Sequence, residues 1–244
     1  MLKRMNVPRW EKYKRFFQIT IFRYLVIWFS LVPIVTTLLN GLPQPLPLQI
    51  GEQLHYIDLA MPFTWQILWL SSLLYLAALI IYAIRCPSFI AQYNDYSEYS
   101  AKGHDGRWLA WEAKELAGHK ADMDKFVSRL RTKKFVEEMP VDCDWSEDSN
   151  PLVEEHVTSF SFEAEGKKWK LSAPVMVDNK PQEKGLFWEI YGRYTESRSV
   201  ARFFIYLLLI GSLVLFLIAF SQHVVSGGES VFEWIQSFRH STDT

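Results

Sequence analysis

Residues able to do chemistry are few in this 244-residue chain, and their spacing is uninformative. The densest group is the acidic run Asp142-Cys143-Asp144-Trp145-Ser146-Glu147-Asp148. Oxygen-rich loops hold calcium when ligands alternate around a sharp glycine turn and close on a bidentate carboxylate. Counted from Asp142, the alternation is partly present, but Glu147 stands where the glycine belongs and Val153 where the closing carboxylate belongs. The run therefore reads as a solvated loop. His104, His119 and His156 form no pair at the i, i+4 spacing of helical metal ligands. Cys86 and Cys143 are isolated and make neither a zinc spacing nor a C-x-x-C pair, so they read as reduced, inert thiols. No P-loop, G-x-G-x-x-G, G-x-S-x-G or H-E-x-x-H occurs. On these grounds no catalytic residue, cofactor or metal is expected, and the chain is expected not to be an enzyme.

What the sequence offers instead is a pattern of apolar blocks. The first, residues 16–39, is long enough for a bilayer core of about 30 Å and is interrupted by Arg23. Arg23 lies within two turns of the block's start, so its guanidinium can snorkel to the headgroups. A signal peptide would need a small-x-small site after the block. Asn40, Gly41 and the run Pro43/Pro45/Pro47 follow instead, which reads as a retained helix. The second block, residues 65–84, carries no charge and is closed by Arg85. The third, residues 203–225, lies between Arg202 and Ser226-Gly227-Gly228. Ten Trp, eleven Tyr and seventeen Phe are many for this length, and a good share sit at block ends, where aromatic rings favour the membrane–water interface.

Lysine and arginine set the expected orientation. Residues 1–15 hold Lys3, Arg4, Arg9, Lys12, Lys14 and Arg15, whereas residues 40–64 hold none. The long segment 85–202 is rich in both, and residues 226–244 carry only Arg239. The expectation is a cell inner-membrane, multi-pass protein with its N-terminus cytoplasmic and its C-terminus outside. The outside loop 40–64 is too proline-rich for helix and should lie extended along the interface. Val231, Trp234, Ile235 and Phe238 recur at helical spacing, which predicts a separate amphipathic helix in the tail, on the outer leaflet or against a protein.

The segment 85–202 is the part able to build a soluble core. Pro87 can start a helix after the second span. The tyrosine-rich stretch 93–99 is expected near the headgroups, and Asp105 is placed to cap a helix beginning at Arg107 and interrupted by Gly118. Met123, Phe126, Val127 and Leu130 mark one face of a second helix, with Asp122 and Asp124 opening it and Arg129, Arg131, Lys133 and Lys134 closing it. Phe160 and Phe162 alternate with serines, Glu165-Gly166-Lys167 forms a turn, and Trp169 and Leu171 alternate with lysines, which is a β-hairpin pattern. A further strand or short helix spans 186–194. The expected fold is an α-helical integral membrane protein with three transmembrane helices and a small α+β cytoplasmic domain inserted between helices 2 and 3.

Function follows only in outline. The blocks carry no Asp, Glu or Lys of the kind that lines ion paths, so the leading expectation is a membrane protein whose cytoplasmic domain recognises a partner, such as an exclusion, immunity or defence factor or an accessory subunit. Its partners would be the lipid bilayer and a protein or a second copy, with no nucleic acid. The residues placed at the interface or at a partner are Arg23, Arg129, Arg131, Lys133, Lys134 and Trp234. Beside a bilayer the basic group would face anionic headgroups, at about 1 kcal/mol per charge, rather than nucleic acid, and a plain solvated helix end is the leading reading of the three. The alternatives are an oligomeric pore and a membrane enzyme acting on lipid, with His104 or the acidic run as base.

Overall fold

A computed structural model describes residues 7–20, 24, 27, 31, 33–38, 46–50, 53–57, 64–118, 123–140, 150–164, 166–174 and 183–242. The chain is mostly helical, carries small antiparallel sheets, and divides into two units. One comprises Met1–Val7, Arg15–Ile84 and Val200–Thr244; the other comprises Pro8–Lys14 and Arg85–Ser199.

The first unit is built on two long apolar helices. Helix α2 (Trp65–Arg85) has 21 residues, about 31 Å of rise, and the apolar part of the last helix, Ser199–Glu229, has 31. Each is long and apolar enough to cross a membrane. Only 22 % and 11 % of their apolar windows are buried within the protein, unlike the core helix of a soluble domain. They run antiparallel, because Ser71 meets Ser212 while Thr64 donates from its backbone N–H to Gln222 Oε1 at 2.9 Å. The Ser71 hydroxyl donates to the Ser212 carbonyl at 2.8 Å and the Ser212 hydroxyl returns the bond to the Ser71 carbonyl at 2.9 Å. Small polar residues of this kind let apolar helices approach and supply the directional contact that lipid cannot. Helix α1 (Trp10–Gln18) adds Phe17, whose ring packs on Tyr75 and Tyr82 of α2.

Two expectations for this unit change. The 226–244 tail is not a separate helix: the final helix, numbered α8 below, runs unbroken from Ser199 to Thr242 through Gly227 and Gly228. Glycine lowers helix stability by about 1 kcal/mol per residue but ends a helix only where the backbone turns left-handed, and neither glycine does so. The described part of the loop 40–64 is extended as expected, but as a hairpin of β1 (Leu46–Ile50) and β2 (Gln53–Ile57) in antiparallel register, Leu48 opposite His55. Pro47 fits because a two-stranded ribbon has a free edge where no N–H is needed. Ten of the 24 residues of block 16–39 lie outside the described residues, Arg23 included. Among the described residues two helices, not three, have the length and composition of a span.

The second unit packs helices against one face of a four-stranded antiparallel sheet. Its elements are α3 (Ser88–Gln92), α4 (Tyr96–Ala101), α5 (Gly106–Gly118), α6 (Met123–Thr132), β3 (Val136–Glu138), β4 (Leu152–Val153), β5 (Val157–Ala164), β6 (Lys167–Pro174) and α7 (Lys184–Glu196). Strand order is β3-β6-β5-β4. The expected hairpin forms, with Phe160 opposite Leu171 and Phe162 opposite Trp169, and all four side chains are buried on one face. Gly166 adopts φ 68° at the turn between them. Helix α5 covers that face with Leu109, Ala110, Ala113 and Leu116, and α7 packs on α5. At its start α5 comes so close to β6 that a Cβ on Gly106 would stand 2.1 Å from the Pro174 carbonyl oxygen. Helix α6 buries Phe126, Val127 and Leu130, as its pattern predicts, and residues 186–194 are helical, within α7.

The tyrosines of the 93–99 stretch are core residues rather than surface ones. Tyr93, Tyr96 and Tyr99 are buried in the second unit around Phe89 and Phe187. A buried phenol must find a partner, and each does: Tyr96 donates to Glu183 Oε1 at 2.6 Å, Tyr99 to the Asp105 carbonyl, and Tyr93 shares a 2.7 Å bond with His104 Nδ1. The N-terminal piece Pro8–Lys14, which by sequence reads as part of a basic tail, is core as well. Trp10 is fully buried, its indole donating to the Ser197 carbonyl at 3.0 Å, and Lys14 Nζ donates to the carbonyls of Ile90 and Tyr93 at 2.7 and 3.1 Å. Burial holds the Lys14 ammonium below its ordinary pKa.

Candidate functional site

Helix α5 has two faces. Residues 109, 110, 113 and 116 turn into the core, while Trp108, Trp111, Glu112 and Glu115, at i, i+3, i+4 and i+7, form a stripe on another side. Asp105 fixes where this helix starts, as predicted: its side chain accepts from the Arg107 N–H at 2.9 Å and its carbonyl from the Trp108 N–H at 3.2 Å. The stripe lines a groove of about 510 Å³ together with Lys114. Trp108 is 54 % exposed and Trp111 44 %, in a unit whose other large rings are mostly sealed in the core.

Electrostatics within the groove are uneven. Glu112 has one carboxylate oxygen, Oε2, buried without a hydrogen-bond partner. Burial pushes its carboxyl above the ordinary carboxylate range and the neighbouring Glu115 charge adds to that, while the Tyr194 hydroxyl works the other way. That hydroxyl also donates to the Glu112 main-chain carbonyl at 3.1 Å. Lys114 Nζ is held by Asn150 Oδ1 at 2.9 Å and lies 5.7 Å from the centre of the Trp111 ring, so an indole of the groove already carries a cation. At the far end of the stripe the His104 ring rests on Trp108 with 4.8 Å between centres.

The residues singled out from sequence are not gathered at this groove. Arg129 and Lys133 are ion-paired to Glu189 of α7, whose carboxylate is only 3 % exposed: Arg129 Nε lies 2.6 Å from Oε2 and Lys133 Nζ 2.7 Å from Oε1. They thus compensate a buried anion. Arg131 and Lys134 are exposed, and Lys134 turns left-handed just beyond α6. Trp234 falls within α8. The acidic run 142–148, Asp122 and His119 lie outside the described residues. His104 shares its Nδ1 bond with the Tyr93 phenol, whose pKa burial raises. Among the described residues no group of three or more His, Cys, Asp or Glu could hold a metal.

Trp111, Glu112 and Glu115 escape sequence reasoning because Trp108, Leu109, Trp111 and Leu116 together resemble the apolar side of one helix. The available signal is the competition between two stripes, since the tryptophans share theirs with glutamates and the leucines share theirs with alanines. Neither protein-family models, nor curated protein sequences, nor solved structures give a match to this chain.

Proposed function

We propose that this chain is a non-enzymatic inner-membrane protein whose second unit lies on the cytoplasmic side and recognises a protein partner. The observation that carries the reading is the exposed Trp108–Trp111 pair on a rigid helix. Tryptophan is enriched at the centres of interfaces, where it supplies large contact area at low entropic cost. Three spans with the N-terminus inside and the C-terminus outside agree with the lysine and arginine distribution, and the paired apolar helices support the membrane part. An exclusion, immunity or defence factor, or an accessory subunit, is the biological form this reading takes by architecture alone.

Site-specific photocrosslinkers at exposed positions of the second unit, in living cells, test the proposal. Recovery of one protein species from the α5 face and not from the β4 edge is the expected result. Recovery of lipid alone from every position would overturn it. Cysteine accessibility at Ser128 and at Thr244, from either side of the membrane, tests the orientation separately, with Ser128 expected inside and Thr244 outside.

A further inference from the structure

The α5 groove is chemically particular. Two indole faces stand one turn apart beside two glutamates, with the charge of Lys114 already engaged by Asn150. Such a surface favours a cation that can also lie flat on a ring. The buried, unpartnered Oε2 of Glu112 adds a second requirement, because a desolvated carboxylate oxygen gains most from a ligand that donates hydrogen bonds. A quaternary ammonium headgroup satisfies the first condition but has no N–H for the second. An ammonium donates but does not stack. A guanidinium does both: it is planar, stacks on indoles and forks onto carboxylates.

The geometry points to an arginine-bearing segment of the partner protein as the occupant of this groove, its guanidinium stacked on Trp108 or Trp111 and hydrogen-bonded to Glu112 and Glu115. This rests on the reading of the second unit as a recognition domain and names the chemistry of what it recognises.

The test uses the full chain in maltoside micelles, labelled with fluorotryptophan, with the signals of Trp108, Trp111 and Trp188 assigned by substitution. The probes are a blocked tetra-arginine peptide, a blocked tetra-lysine peptide and tetramethylammonium chloride. Tetra-arginine should shift Trp108 and Trp111 saturably and leave Trp188, exposed on α7 but outside the groove, unmoved. It should bind about fivefold tighter than tetra-lysine, the scale of one stacked cation–π contact. Trp108→Ala with Trp111→Ala, or Glu112→Gln with Glu115→Gln, should each weaken it about tenfold or more, while Trp188→Ala should not. Equal binding of both peptides would reduce the groove to plain charge attraction and overturn the inference. Tetramethylammonium moving the same signals as strongly would overturn it in favour of a lipid headgroup. Shifts that depend on protein concentration without any probe would show a second copy in the groove, and would overturn it too. Because the crosslinking experiment needs no probe, a protein captured there together with a failed titration would refute the arginine assignment and leave the recognition reading standing.

Discussion

Gly106→Ala is the sharpest test of how the second unit holds its groove helix. A Cβ at this position would meet the Pro174 carbonyl oxygen at 2.1 Å and its carbon at 2.9 Å. Ordinary contact begins at 3.4 Å, so helix and strand must part by about 1.3 Å. The opposing atoms are main chain in the paired strand β6, which cannot rotate away as a side chain would. Overpacking of this kind costs typically 1–3 kcal/mol, and the rigid partner puts Gly106 at about 3. Removing a glycine also restricts the unfolded chain, which returns about 0.5–1 kcal/mol. The net expectation is a loss of about 2 kcal/mol, or a melting temperature lowered by roughly 8 °C for a unit of this size. Gly192→Ala is the matched control. Gly192 is exposed within α7, and an alanine methyl there would have nothing within 4 Å, so the substitution should be neutral or stabilising by up to about 1 kcal/mol. Scanning fluorimetry of both variants in detergent, with protease resistance of the second unit as an independent readout, measures the difference. Equal melting temperatures for the two would refute the close approach of α5 to β6.

The ion pairs of α6 should show strong coupling. Arg129→Ala or Lys133→Ala alone should cost under about 1 kcal/mol, since each base is partly exposed and the other remains, whereas the double substitution strands the Glu189 carboxylate and should cost about 3 kcal/mol. Additive single effects in denaturant titrations would contradict this. Glu112 should make stability depend on pH. Its folded pKa lies above the ordinary value, so its contribution is fully present below about pH 4 and is lost as pH rises through the folded pKa. Glu112→Gln should flatten that part of the stability profile, and an unchanged profile would show that the carboxyl is not desolvated. In the first unit, Ser71→Cys with Ser212→Cys, in a background lacking Cys86 and Cys143, should form an intrachain disulfide in membranes, because the two hydroxyls lie 3.3 Å apart. Proteolysis within the second unit should then leave both fragments joined, and their separation on a non-reducing gel would contradict the pairing of α2 with α8.

Much of the fold is legible in the sequence wherever one periodicity dominates. The α6 face and the β5–β6 hairpin carry clean 3.6- and 2-residue patterns, and both form with the expected residues buried, apart from the half-buried Met123. Tyr93, Tyr96 and Tyr99 mislead because a tyrosine suits a membrane interface and a hydrogen-bonded core equally, and only tertiary contacts decide between them. Trp10 and Tyr13 mislead for a different reason. Their helix is full of lysine and arginine, which reads as a solvated tail, and the surface it covers is built by residues far away in sequence. Gly227-Gly228 resembles a stop because glycine often ends helices, yet the flanking apolar residues let α8 continue. The groove stays hidden when the two stripes of α5 are summed into one, which erases the difference between an indole beside a glutamate and a leucine beside an alanine.

The discontinuity of the second unit has a consequence for the order in which the protein can be made. The slot for the Trp10 indole is completed by Ser197, a separation of 187 residues. At translation rates of about 5–20 residues per second, Trp10 waits roughly 10–40 s after synthesis before its hydrogen-bond acceptor exists. Meanwhile α5 and strands β5 and β6 can assemble among themselves, since their contacts are with one another, whereas α7 is complete only one residue before Ser197. Docking of residues 8–14 is therefore a late step, paced by the ribosome. A pulse-labelled chain should pass through a species whose partly folded second unit still leaves its N-terminal piece open to protease.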